Sequence, residues 1–198
     1  MKQKHTRDLY EYWTKLRGRR TAPERNSLDP GLISHALPDI FLLEFGAAGQ
    51  PEFRLAGTRL CSLFDRELSG SAFLHLWDER QHQDVLDLVG VVSREETPLV
   101  AGTIASIGDG RTIPCELLLL PLRHNGMRGQ RMLGLMTAAD ELPLFMPAAV
   151  SLSLTTLKVI DSDEIKKLRL TPSFASGIPA ETILSRKGHL VLIDGKRA

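Results

Sequence analysis

Residues 99–139 contain three strongly apolar segments, LVAGTIASI, RTIPCELLLLPL and RMLGLMTAA, separated by Gly108-Asp109-Gly110 and by HNGMRGQ. Strands joined by such short, glycine-bearing turns must run antiparallel to one another, because a parallel pair needs a long crossover. The stretch therefore predicts a three-stranded antiparallel meander around which the rest of the chain has to fold. In the middle segment Ile113, Cys115, Leu117 and Leu119 share one face, while Glu116, Leu118 and Leu120 share the other. Both faces are apolar toward the end of that segment, which predicts a sheet covered on both sides.

Two shorter strands precede the meander. IFLLEF at 40–45 and FRLAG at 53–57 flank GAAGQP, which carries turn chemistry, and read as a strand pair. Residues 58–77 lack strand alternation; Leu60, Leu63 and Phe64, then Phe73, Leu74 and Trp77, predict short helical turns interrupted at Gly70. In FRLAGTRLCSLFDRELSG, Gly57 permits a close approach or unusual backbone angles, Thr58 offers a capping hydroxyl, and Gly70 allows a sharp turn. A longer helix is expected from Asp78, with Asp78 as cap and Gln81 reaching back to it. It would bury Val85, Leu88, Val89 and Val92 and end before Pro98.

At the N-terminus Leu9, Tyr12, Trp13 and Leu16 recur at helical spacing over about 7–18, with Gly18 as the stop. One narrow apolar stripe does not hold a short helix folded alone, so this helix is expected to dock on the outer face of the sheet or on a second copy. After RTAPERNS, the segment LDPGLISHALPDIF predicts a helix capped by Asp29, started by Pro30 and closed by Pro38. Leu32, Ile33, Ala36 and Leu37 are its expected buried side.

Beyond Glu141 the prolines 143, 147, 172 and 179 punctuate residues that alternate little, and SDEIKKLRL is the one helix-like piece. HLVLIDGK at the end suits a strand or a peptide that adds to a sheet edge. The expected organisation is thus an N-terminal helix and basic arm at 1–25, a domain at 26–141, and a partly disordered appendage at 142–198.

Apolar residues at 42% and charged residues at 25% fit a globular chain. No apolar run reaches the roughly 18 residues of a membrane span, and MKQKHTRDLYEYW is not a secretory leader, which makes the cytoplasm the expected location. Cys61 and Cys115 lie far apart and outside any metal-binding pattern, so no metal site is expected. There is no Gly-x-Ser-x-Gly, no glycine-rich phosphate loop and no pair of histidines at ligand spacing, so no catalytic residue is assigned and the chain is not read as an enzyme. Up to Arg25 the chain carries eight basic residues against three acidic ones. That arm reads as a solvated helix face, and nucleic acid is not an expected partner.

The element order, helix, two strands, short helices, a longer helix and three antiparallel strands, resembles a PAS domain. YWTKLRGRRTAPERNSLDP, LPDIFLLEF, FRLAGTRLCSLFDRELSG, FLHLW and LLLPLR are similar, in order and spacing, to a subgroup of stand-alone bacterial PAS proteins first catalogued as a domain of unknown function. The resemblance covers about residues 9–139.

It implies an α+β fold in which a five-stranded antiparallel sheet, about 40–46, 53–58, 98–107, 111–121 and 130–139, carries helices on one face. These helices roof a small pocket, beside an N-terminal helix. It also implies a sensory or regulatory module, signalling by protein–protein interaction, that binds a small ligand or an unidentified protein partner. The competing expectation is an adaptor or scaffold with a side-chain-filled pocket and a docking tail.

Candidate ligand-binding residues are Arg54, Arg59, Cys61, Phe73, His75, Trp77, Cys115 and Leu117. Arginine forks suit carboxylates and phosphates; the competing and more ordinary role for Arg54 and Arg59 is pairing with acids such as Asp65, Glu67 or Glu116. Cys61 lacks the asparagine-rich surroundings of flavin photosensors, and His75, His82 and His124 have no supporting context for haem, so no cofactor is expected. A homodimer formed through Leu9, Tyr12, Trp13 and Leu16 is the expected assembly, as PAS modules often pair through such a helix.

Overall fold

The structure, a computed structural model, describes residues 1–139 and 147–160 with their side chains, and 165–168, 183–187 and 190–193 as backbone. Helix α1 spans Lys4–Arg17, and Gly18 stops it at a positive φ of 55° with its N–H donating to Thr14 O. Strands β1 (Ile40–Phe45) and β2 (Pro51–Ala56) are followed by the short helix α2 (Thr58–Leu63) and the helix α3 (His82–Arg94). Strands β3 (Leu99–Ile107), β4 (Thr112–His124) and β5 (Met127–Ala138) form the expected meander. Asn125 and Gly126 take φ of 52° and 77° in the two-residue turn between β4 and β5, the left-handed pair that matches strand twist.

A sixth long strand, β6 (Ala149–Ile160), pairs antiparallel with β3 along its length. The short strands β7 (Ile165–Leu168), β8 (Ile183–Lys187) and β9 (Leu190–Ile193) continue the sheet, whose order is β2-β1-β5-β4-β3-β6-β7-β9-β8. All five expected strands are present, in the order β2-β1-β5-β4-β3, and β6 extends their sheet from the edge of β3. Leu152, Leu154 and Leu157 of β6 are part of the inner core rather than of an appendage.

The alternation of β6 was concealed by a bulge. Register shifts between Gly102 and Thr103, so that Thr156 faces Gly102 while Leu154 faces Thr103 and Thr155 is the extra residue. A side chain at Gly102 would run into the hydroxyls of Thr155 and Thr156, and the Gly102 N–H donates to Thr156 Oγ1 at 3.1 Å. The glycine inside β3 was the sequence mark of that bulge. Within SDEIKKLRL, residues 165–168 are strand and not helix, and the terminal HLVLIDGK contributes β9. Pro143, Pro172 and Pro179, and the disorder expected for part of the tail, lie outside the described residues.

The sheet is covered on both faces. On the inner face α2, a 3-10 turn at Phe73–Leu76 and α3 enclose Leu60, Leu63, Phe73, Trp77, Val85, Leu88, Val89 and Val92 against Leu117, Leu119 and Met136. On the outer face α1 and a 3-10 helix at Pro30–Asp39 bury Leu9, Trp13, Ile33 and Ala36 against Leu118, Leu120, Leu133 and Leu135. Trp13 anchors this layer, being wholly buried and donating from Nε1 to Pro121 O at 2.9 Å.

Two local expectations fail. Leu32 and Leu37 are 67% and 38% exposed, because Pro30–Asp39 winds as a 3-10 helix with an irregular Ile33 and points a different set of side chains inward. Gln81 does not reach back to Asp78: its side chain bonds the backbone of Leu154 in both directions, fixing the start of α3 to β6.

Gly134 shows how tightly the inner face is packed. An added Cβ there would overlap the ring of Phe41, which sits among Phe53 and Phe73 at centroid distances of 5.5 and 5.8 Å. Gly134→Ala should cost about 2 kcal/mol in urea unfolding, since neither the strand nor the clustered rings can move aside freely.

Candidate functional site

The site begins where β2 leaves the sheet. Gly57 packs so closely on the backbone carbonyls of Leu37 and Pro38 that any side chain would collide with them, and its N–H donates to Ile40 O at 2.7 Å. Gly57 itself is the N-cap of α2, so the Thr58 hydroxyl is not the cap that the sequence suggested. After α2 the chain turns at Asp65 and at Gly70, with φ of 48° and 81°. It then returns to the edge of β2, where Phe53 N donates to Ser71 O and Gly70 N donates to Phe53 O. Glu67 Oε1 accepts from the N–H groups of Leu68 and Ser69, bonds that hold this exposed carboxyl below its ordinary range. The roof is thus one short helix and two turns pinned at their ends.

Beneath it, Phe41, Phe53, Phe73 and Trp77 form a chain of aromatic contacts, with Phe73 and Trp77 edge to face at 5.5 Å. Away from Phe41 and Phe53, which belong to the sheet itself, β3, β4 and β5 present smaller residues on this face. Leu154, Thr103, Cys115 and Ala138 form one row across β6, β3, β4 and β5, and Ala101 and Ala105 flank Thr103 on the same face. Burial pushes the Cys115 thiol up to about 11, which keeps it protonated and unreactive.

Of the eight expected ligand-binding residues, Phe73, Trp77, Cys115 and Leu117 meet in this inner core, and half-buried Cys61 packs against it from α2. His75 does not join them: its side chain is exposed on the far side of the turn whose other residues are buried. Arg54 is 72% exposed, with Nε 4.0 Å from Glu44 Oε2, because its position on β2 points outward. Arg59 turns to Asp39, neither into the core nor to any of the three acids considered for it.

Asp39 and Glu96 were not anticipated, and each joins the two faces of the sheet. The Asp39 carboxylate, 2% exposed, accepts from Arg59 Nη1 of α2 at 2.5 Å, and His5 Nδ1 of α1 lies 3.2 Å from the same oxygen. Nearby His35 approaches Asp8 of α1 at 3.5 Å. Glu96, just past α3, accepts from Arg123 Nε and Nη2 and from the Thr21 hydroxyl, with Arg128 3.5 Å away. Burial alone would raise the Glu96 pKa; the Arg123 and Thr21 hydrogen bonds and the charges of Arg123 and Arg128 outweigh it and hold the carboxyl below its usual range. An acidic residue at the last position of a 3-10 helix, as Asp39 is, or just past a helix, as Glu96 is, carries no periodic signal, so only the folded chain reveals these two.

Of the two expected seats for α1, the outer face of the sheet takes Leu9 and Trp13, which are buried within their own chain, and Tyr12 and Leu16 are left half-buried on the flank of the helix. Among the described residues no cluster of metal-ligating side chains occurs, and no helix is long and apolar enough to cross a membrane.

Glu96→Ala, which strands Arg123, should cost about 3 kcal/mol in denaturant unfolding at pH 7. Because the folded pKa of Glu96 is depressed, its contribution is complete above the unfolded value of about 4.3 and is lost as pH falls through the folded one. The stability gap between the native chain and Glu96→Gln should therefore close as pH drops below about 4.

A comparison with curated proteins finds no match. Among solved structures the chain is similar to the light state structure of the blue-light photoreceptor Aureochrome1 LOV, at 15% identity over 58% of this chain and 91% of that one, with a TM-score of 0.41. The family model described as PAS domain matches residues 1–137, from α1 into β5 and short of β6. That match takes in well over half of the chain, which belongs to the PAS domain family.

Proposed function

We propose that the protein is a non-enzymatic, cytoplasmic sensory module whose inner face, roofed by α2 and the turn at Phe73–Leu76, receives a small molecule or responds to a protein partner, and whose outer helix α1 reports the change. The observation that carries this reading is the position of Asp39, which holds Arg59 of the roof and His5 of the outer helix on one buried oxygen. A shift of α2 that withdraws Arg59 leaves that carboxylate short of a charged partner in a buried setting, which loosens the seat of α1. The output is then protein–protein contact through α1.

The contact with a second copy, in this reading, uses the Tyr12 and Leu16 flank rather than Leu9 and Trp13. Leu16→Arg should then convert a dimer to a monomer in light scattering without loss of fold; a chain that is monomeric to begin with discards the dimer. A second reading, an adaptor with a side-chain-filled interior, is favoured by the mutual contacts of Phe41, Phe53 and Phe73.

Coupling decides between them. In Asp39→Ala, amide hydrogen exchange should speed up about tenfold in both α1 and α2 while β4 stays protected, the size expected for loss of a charged hydrogen bond. Acceleration in α2 with α1 unchanged would leave the adaptor.

A further inference from the structure

Two polar groups in the inner core have no hydrogen-bond partner among the described residues: the Thr103 hydroxyl and Trp77 Nε1. Their residues are 2% and 4% exposed, so water outside the protein does not satisfy them. The other indole of the chain does what a buried indole ordinarily does, donating from Trp13 to Pro121 O. Trp77 and Thr103 also belong to the same end of the core. The backbone of Trp77 bridges to Leu152, Leu152 stands opposite Ala105, and Thr103 is the next residue of β3 on that face. Here the sheet offers its small side chains, Ala101, Ala105, Cys115 and Ala138.

An indole N–H only donates, so it calls for an acceptor; a threonine hydroxyl can donate to the same acceptor. Among the described residues the buried carboxylates are Asp39, which turns to Arg59 and His5, and Glu96, which turns to Arg123; Arg54 and His75 are exposed, and half-buried His82 turns to the Trp77 backbone carbonyl. A carboxylate, phosphate or ammonium group placed there would be buried without a counter-charge.

Resting on the reading that the inner face receives a small molecule, we infer that Trp77 Nε1 and the Thr103 hydroxyl form a subsite for the carbonyl-type acceptor of an uncharged, largely apolar ligand. The apolar body of that ligand lies against the aromatic chain ending in Phe73 and Trp77 and against the alanines of β3. Charged metabolites are excluded by the same surroundings. The alternative occupant of two such donors is a resident water, which needs similar polar partners.

The test uses the full chain, labelled with nitrogen-15, in which the two indole N–H resonances are assigned by Trp77→Phe. The probes are cyclohexanone, cyclohexanecarboxylate and cyclohexylamine, equal in bulk and different in charge. Cyclohexanone should shift the Trp77 indole saturably and leave that of Trp13 in place, while the acid and the amine shift neither. Thr103→Val, close in shape and therefore expected to fold, should weaken cyclohexanone binding about tenfold.

The inference is overturned if no ketone effect appears up to the solubility limit, if Thr103→Val binds cyclohexanone as well as the native chain does, or if the Trp77 indole keeps its contact to bound water at ketone saturation. A null result here with the Asp39→Ala coupling intact removes the ligand class and leaves the sensory module. Ketone binding without that coupling removes the module and leaves the subsite.

Discussion

Strand β4 is apolar on both of its faces, and that single condition organises the chain. Leu117 and Leu119 cannot be hidden by whatever hides Leu118 and Leu120, because successive side chains of a strand point to opposite sides. Two separate layers are therefore required. The helices between β2 and β3 supply one, and α1 with the 3-10 helix before β1 supplies the other. At about 25 cal/mol per Å² of apolar surface removed from water, neither layer can be dispensed with in a domain of this size.

The two layers differ in kind. The outer one is anchored by a buried tryptophan with its indole hydrogen-bonded. The inner one is a set of short helical pieces tied at their ends by Gly57, by the return to the β2 edge and by the Gln81 contacts with β6, and it covers a core in which Trp77 Nε1 and the Thr103 hydroxyl have no partner among the described residues. Short elements with pinned ends and few internal hydrogen bonds open more cheaply than a strand flanked on both sides. In a PAS domain this places the adjustable part of the molecule between β2 and β3, over the small side chains of the sheet.

The polar contacts between the layers run around the sheet rather than through it. Asp39 reaches from the roof to the start of α1, and Glu96 joins the end of α3 to Thr21 beyond the end of α1. Both carboxylates are buried and served by charged donors, a geometry in which displacement of one partner is costly and so is felt by the other. The outer helix is thereby held at its start by a carboxylate that also binds Arg59 of α2, and just beyond its end by one that follows α3.

Periodicity and turn chemistry determined the meander, the strand pair before it, α1, α3 and the helical nature of the roof, because each of those elements buries one face and so writes its period into the residues. Period also put Phe73 and Trp77 on the apolar side of helical turns and Cys115 and Leu117 on one face of β4; it was the PAS resemblance that set those two surfaces against each other. Periodicity misplaced what period cannot encode: β6, whose bulge at Thr155 broke the alternation that Leu152 and Leu154 begin, and the exposed Leu32 and Leu37 of a 3-10 helix with a different pitch.

The destinations of Arg54, Arg59 and His75, and the surroundings of Asp39, Glu96 and Thr103, were decided by the tertiary structure alone. A polar side chain makes its choice of partner only after the backbone has brought distant segments together, whereas an apolar side chain has made its choice, away from water, in the sequence itself.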